Sequence, residues 1–252
     1  MTSPMPTPRR HTLTRARLLH LLEKLKADPT ATGSLYVPAG TPPARVMELT
    51  KGVTPPLPDE AAEAIVRSPT GVALFVGSQS SHLVIPPFPI TEEKSSNTID
   101  IGPLHSLLSR DFLTALVMVR LGMYGIAVMK GQLLLSVKTG TGLVHARHRQ
   151  GGSSSHRFER HREKQMEAFF TRVCAHAREE LEPHARQLDY LIYGGAKETT
   201  LDFRKQCDFL RQFDGRTLNR LINLREPRRS EMPEAVEAAW SSRVMEWQVP
   251  GT

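Results

Sequence analysis

Two adjacent glycines, Gly151 and Gly152, followed by Ser153, Ser154 and Ser155, stand between two clusters of cationic side chains in the segment KTGTGLVHARHRQGGSSSHRFERHREKQ, residues 138–165. Glycine has no Cβ, so the backbone N–H groups from Gly152 to Ser155 can approach an anionic or carbonyl oxygen closely. A helix starting near Ser155 or His156 would add the positive end of its dipole at the same place. Arg157, Arg160 and Lys164 recur at i, i+3 and i+7, so they share a helical face that can follow a phosphate backbone. Seven cations (Lys138, Arg147, Arg149, Arg157, Arg160, Arg162 and Lys164) face two carboxylates, Glu159 and Glu163, so most of the formal net charge of +7 is concentrated here. A polyanion such as RNA is the first expected partner, with Arg147, His148, Arg149, His156, Arg157, Arg160, Arg162 and Lys164 as its contacts. The plainer reading is a flexible connection followed by a solvated, Arg-rich helix.

Other chemistries fit less well. His145, His148, His156 and His161 crowd the loop, but on a strand His145 and His148 would point to opposite faces and no cysteine is near, so no metal is expected. A two-metal nuclease needs several carboxylates at strand ends, and residues 113–138 contain none. Gly140-Thr141-Gly142 lacks the helix that a dinucleotide site requires, and neither a Walker pattern nor GxSxG occurs, so no cofactor is expected. Phe169, Phe170, Trp240 and Trp247 stand at helical spacing, which suits a core better than a base-stacking platform.

The elements that must position the loop can be read on both sides of it. Ahead of it, Leu113–Arg120, Tyr124–Met129, Gln132–Lys138 and Leu143–Arg147 are four β-rich runs, with Lys130-Gly131 and Thr139-Gly140-Thr141-Gly142 as turn signals between them. They predict a four-strand antiparallel meander. Behind the loop the period becomes helical, with Phe158, Met166, Phe169, Phe170, Val173, Ala177 and Leu181 on one stripe until Pro183. Leu188–Tyr193 then reads as a strand closed by Gly194-Gly195, Thr200–Phe213 as a helix, Leu218–Leu224 as a strand and Ser230–Trp247 as a final helix. A meander followed by αβαβα predicts an α/β fold, a mixed sheet with helices on its faces, over residues 111–248.

The front of the chain predicts a smaller α+β subdomain over residues 13–110. Residues 1–12 are rich in Pro, Thr and Arg and are expected to be disordered. Thr14–Lys26 repeats leucines at helical spacing. Prolines are frequent from Pro38 to Pro58 and forbid long regular elements, after which Asp59–Val66 reads as a short helix with an acidic first turn. Gly71–Val76 and Leu83–Ile85 read as two strands joined by a polar turn.

With 252 residues and 39% hydrophobic content, the chain can bury a real core. A sequence pI near 9.7 favours anionic partners. The apolar run at Leu18, Leu19, Leu21 and Leu22 is interrupted by His20 and stops at Glu23, too short for a secretory core. The Arg-rich start also has the look of a mitochondrial-type presequence, but an amphipathic first helix is the expectation. No stretch is apolar enough for a membrane span, and a cytoplasmic monomer is expected. Cys174 and Cys207, the two cysteines of the chain, fall in helical segments without a CxxC pattern. They read as small apolar core residues in a reducing compartment rather than as a disulfide framework.

VRLGMYGIAVMKGQLLLSVKTGTG leading into the loop, GGSSSHRFERHREKQ, the turn Tyr193-Gly194-Gly195 and the closing LREPRRSEMPEAVEAAW together resemble the Vms-like release factors of the actinobacterial/chloroflexi branch. These are relatives of the GGQ-bearing middle domain of eukaryotic translation release factors. The resemblance spans about Leu113 to Trp247, and GG followed by RF-x-R-x-R is its specific part. It implies an RNase H-like α/β fold whose loop, at 149–156, enters the peptidyl-transferase centre of the large ribosomal subunit and releases peptide from peptidyl-tRNA during ribosome rescue. In the family's bacterial pattern the loop reads roughly GG-x-S-Q-x-R-F, so the glutamine slot falls here on Ser155 or Ser154. The glutamine is thought to place a water against the ester while its backbone N–H assists the departing 3'-oxygen. Serine keeps the backbone donor, but its hydroxyl is too short to reach the water, so weak hydrolysis is the expectation. Gln150 could substitute only in a re-threaded loop; otherwise it caps the preceding strand. A ribosome- and tRNA-binding factor without catalysis, or a metal-independent nuclease acting on the tRNA 3' end, are the alternatives.

Overall fold

The computed structural model describes residues 7–54, 56–144, 155–223 and 226–248, with the backbone alone at 31 and 155–158. The chain divides into two units, Met1–Arg110 with Trp240–Thr252, and Asp111–Ala239.

The first unit runs β1 (Arg9–Leu13), α1 (Arg15–Ala27), β2 (Ala31–Val37), α2 (Pro43–Thr50), α3 (Asp59–Arg67), β3 (Val72–Gly77), β4 (Ser80–Ile85), β5 (Lys94–Ser96) and α4 (Gly102–Ser109). Thr14 caps α1, its Oγ1 accepting from the Arg17 N–H at 3.4 Å, and Leu18, Leu22 and Leu25 turn inward. The prolines are placed where helices begin, Pro42 and Pro43 at α2 and Pro58 before α3, because no intrahelical donor is needed there. Both faces of this sheet are covered. Leu18, Leu22, Phe75, Val84 and Leu104 form one apolar layer; Ala61, Ile65, Leu74, Leu83 and Trp247 form the other. That is why β3 is buried at every position rather than at alternate ones.

The second unit contains β6 (Leu113–Arg120), β7 (Met123–Lys130), β8 (Leu133–Thr141), α5 (Ser155–Leu181), β9 (Tyr190–Gly195), α6 (Lys197–Gln206), β10 (Thr217–Ile222) and α7 (Met232–Trp240), the last residue of α7 belonging to the first unit. Its five strands lie in the order β10-β9-β6-β7-β8. The pairs β6–β7 and β7–β8 are antiparallel, and β9 is parallel to both β6 and β10. The sheet is therefore mixed, as expected. Among the described residues the meander shows three strands; Leu143 and Val144 are outside any strand, and the rest of the expected fourth run lies outside the described residues. Thr114–Val119 and Tyr124–Met129 are buried throughout because α5 covers one face while the segment around Pro227 and Met232 meets Gly125 on the other.

The structure corrects several expectations. From Arg9 the segment expected to be disordered is strand β1. It pairs antiparallel with β11 (Ser242–Gln248), which in turn pairs with β4, so the first sheet reads β1-β11-β4-β3-β2-β5. The final helix stops at Trp240, and Trp247 belongs to β11. The Glu- and Ala-rich run EAVEAAW suggested that the helix continues, but partners on both sides impose the strand, and context outweighs local preference. The expected helix Thr200–Phe213 breaks at Cys207 (φ −100°, ψ 82°), and a 3-10 segment, Asp208–Arg216, follows. Cys174 and Cys207 form a disulfide with Cα atoms 5.4 Å apart. Local spacing carried no sign of it, since the cysteines are 33 residues apart and only the packing of α5 beside α6 brings them together. Strand β2 and helix α4 were not anticipated.

Candidate nucleic-acid interface

Two side chains, one on each side of residues 145–154, meet the core. Val144, after β8, and Met166, on α5, both pack against the apolar core of the second unit. From Glu159 to Gln165 no side chain is buried, and burial begins at Phe169 and Phe170. From Met166 back to Ser155 the helix backbone runs about 16 Å further, at about 1.5 Å per residue.

Beyond that contact α5 is held firmly. Phe169, Phe170, Val173, Ala177 and Leu181 are buried against the strands, and Tyr124 stacks on His176 with ring centroids 5.6 Å apart. The Arg172 guanidinium donates to the Thr141 carbonyl at 2.6 Å, tying α5 to the last residue of β8. The close fit at that exit explains the glycines. A Cβ at Gly140 would lie 2.5 Å from the Tyr124 hydroxyl, and one at Gly142 would lie 2.5 Å from both Arg172 Nη2 and Phe169 Cδ2. The Gly-Thr-Gly run is thus a packing surface for the helix that follows the loop. At the same end of the sheet, where Gly195 pairs with Val119, Val119 with Tyr124 and Tyr124 with Gly140, Gly195 has φ +102° and a Cβ there would meet the Val119 carbonyl oxygen at 2.2 Å, so glycine is required where β9 gives way to α6.

Electrostatics at the root is modest. His176 Nδ1 lies 2.9 Å from Glu179 Oε2, and this hydrogen bond holds the Glu179 carboxyl below the usual range. Burial raises the Tyr124 phenol. Burial also pushes Tyr193, in the YGG turn, up to about 12, and the Arg204 guanidinium sits 4.7 Å from the centre of its ring. Among the described residues no group of three or more His, Cys, Asp and Glu is placed to hold a metal ion.

Of the residues singled out in the sequence, Arg147, His148, Arg149, Gln150, Gly151, Gly152 and Ser154 lie outside the described residues. Ser155, His156 and Arg157 form the first turn of α5, which puts the positive end of a 27-residue helix directly after the serines. Arg160 and Lys164 are exposed, and neither is paired with a carboxylate among the described residues. At about 100° per residue, positions 157, 160, 161 and 164 share one arc, opposite the arc of Met166, Phe169, Val173 and Ala177 that meets the core. Position 162 falls toward the core side and Arg162 is half-buried, so the helix does not bring it to the cationic stripe. Tyr124, Arg172 and His176, which fix the root, were missed by sequence reasoning. Their partners lie far away in the chain, and no local pattern marks such contacts.

Residues 113–245 match the family described as the actinobacteria/chloroflexi VLRF1 release factor. Among curated proteins, the peptide chain release factor subunit 1 of Archaeoglobus fulgidus is 30% identical over 117 residues, covering 46% of this chain and 29% of that protein. The same factor from Aeropyrum pernix is 27% identical over 199 residues, covering 68% of this chain and 53% of that one. The chain thus spans about half or less of the length of these two relatives. Among solved structures, the crystal structure of an archaeal translation termination factor, aRF1, aligns with TM-score 0.38 and 21% identity over 90% of this chain and 72% of that one. The Vms1 mitochondrial localization core aligns with TM-score 0.43 and 12% identity over 88% and 92%. The matched segment holds the whole mixed sheet, the cationic helix and the turn at Tyr193, and with it the chain belongs to the actinobacteria/chloroflexi VLRF1 release factor family.

Proposed function

We propose that the protein is a ribosome-associated release factor that hydrolyses peptidyl-tRNA, weakly, on stalled large subunits. One observation carries the reading. Within the segment that matches the family, α5 turns one side to the core and sets positions 160, 161 and 164 on the opposite side, exposed to solvent, with position 157 on the same arc by helical spacing. An exposed cationic stripe ending at a helix N-terminus suits the phosphates of rRNA and of the tRNA acceptor end. In this reading Gly151 and Gly152 let the backbone approach the ester. The N–H at Ser155 stabilises charge on the departing 3'-oxygen. The water is left poorly ordered because Ser154 and Ser155 stand where a relative has glutamine.

That serine supports a second reading, a factor that docks on the ribosome and does no chemistry. Purified protein incubated with large subunits carrying peptidyl-tRNA separates the two. Free peptide with intact tRNA supports hydrolysis, the absence of product supports docking alone, and shortened tRNA would make the protein a nuclease. Ser155→Gln should raise release; unchanged release from a folded variant would remove the assignment of the glutamine slot. Docking should weaken steeply with salt, and a flat response would contradict the role given to the cations.

A further inference from the structure

Cys174 and Cys207 are not among the residues assigned to docking or hydrolysis, and the bridge between them joins α5 to the end of α6. Cys207 is fully buried at the break between α6 and the 3-10 segment, while Cys174 is half-buried on α5. The same two helices also meet through Phe170 and Phe203, ring centroids 5.7 Å apart. From Cys174 to Ser155 the helix runs about 28 Å, so a tilt of about 10° about the bridge displaces its first turn by about 5 Å. Positioned chemistry tolerates about 1 Å.

We propose that the Cys174–Cys207 bond is a reversible redox clamp on α5. Oxidised, it fixes the direction of the cationic helix; reduced, it lets the helix tilt on its apolar contacts. The effect on docking rests on the reading that α5 engages the ribosome, whereas the effect on α5 itself does not. The co-reactant is a dithiol or its disulfide. A dithiol's thiolate attacks Sγ of Cys174, the more exposed of the two residues. The S–S bond breaks and Cys207 leaves as a thiolate that takes up a proton. The dithiol's second thiolate attacks its own sulfur in the mixed disulfide and expels Cys174 as a thiolate that is protonated. Two electrons pass to the protein, and the dithiol becomes a cyclic disulfide. Formation is the reverse with a disulfide oxidant. Where cellular thiols are kept reduced, such a bond is transient and therefore informative, whereas a permanent staple would not persist.

The full chain, equilibrated with reduced and oxidised dithiothreitol in varying ratio and then alkylated, should pass by mass spectrometry from the bridged to the doubly alkylated form in one two-electron transition. Reduction should lower the melting temperature by roughly 10 °C, given a closed loop of this length. It should speed amide exchange along residues 166–181 and leave β3 and β4 of the first unit unchanged. Affinity for large subunits should fall about tenfold on loss of positioning. The C174A/C207A protein, with small apolar side chains kept in place, should behave as the reduced form in every buffer. Alkylation of both cysteines in the most oxidising buffer, or a bridge whose reduction leaves exchange along α5 unaltered, would overturn the clamp. Faster exchange along α5 in a protein that binds subunits in neither state would uphold the clamp and defeat the docking reading.

Discussion

The two halves of α5 are one continuous helix with opposite designs. From Met166 to Leu181 it presents Phe169, Phe170, Val173, Ala177 and Leu181 to the sheet, Arg172 ties it to β8, and Tyr124 of β7 stacks on its His176. From Ser155 to Gln165 it has Phe158 as its one large apolar residue and gives its outward side to cations. Isolated helices as short as this half are marginal in water, so the rooted half supplies stability to a half in which no side chain from Glu159 to Gln165 is buried. The difference teaches that stability and recognition here are separable along a single element.

The widest separation is expected for Phe170→Ala. Phe170 is 2% exposed, and truncation of such a side chain costs about 3–5 kcal/mol. Denaturant unfolding should show the loss, and a change below about 1 kcal/mol would mean that the rooted half does not anchor α5. Gly142→Val should cost less, about 1–3 kcal/mol, because its Cβ must push aside Phe169 and the guanidinium that binds Thr141. Faster amide exchange confined to Thr141 and the neighbouring turns of α5 would sharpen the point. An unperturbed melt together with native exchange would argue against the close fit.

For the outward half the expectation reverses. Arg160→Ala with Lys164→Ala should leave the melting temperature within about 2 °C, since exposed substitutions away from caps and cores change little. The same protein should lose affinity for large subunits, and its salt slope should shrink by about one for each phosphate contact removed. A large drop in melting temperature would show that the outward half is structural after all. The smallest effect is expected at the hydrogen bond between His176 and Glu179. The hydrogen bond from His176 depresses the Glu179 carboxyl, so its contribution is present above the ordinary carboxylate value of 4.5 and is lost as pH falls through the lowered one. In an NMR titration, His176→Phe should move the Glu179 transition upward toward that ordinary value; no movement would discount the bond.

Much of the second unit was legible beforehand. The apolar runs at Leu113–Arg120, Tyr124–Met129 and Gln132–Lys138, with Lys130-Gly131 between the last two, marked the antiparallel strands, and the stripe from Met166 to Leu181 marked the buried side of α5. These signals are local: a period, a turn residue, a terminating proline. Strand β11 was not legible, because SRVMEWQ becomes a strand only between β1 and β4, nor was the start of β1 at Arg9. The front subdomain was half-read for the same reason, with β2 set by its pairing with β3 and β5.

The order of residues alone determined that a glycine pair stands between cationic clusters and that a long amphipathic helix follows, because composition and period are properties of neighbours in the chain. The tertiary structure decided which side of that helix meets the core, that Arg160 and Lys164 are exposed, that Arg162 falls toward the core side and that two distant cysteines meet. Each of these depends on packing between segments tens of residues apart, and such contacts leave no periodic trace in the sequence.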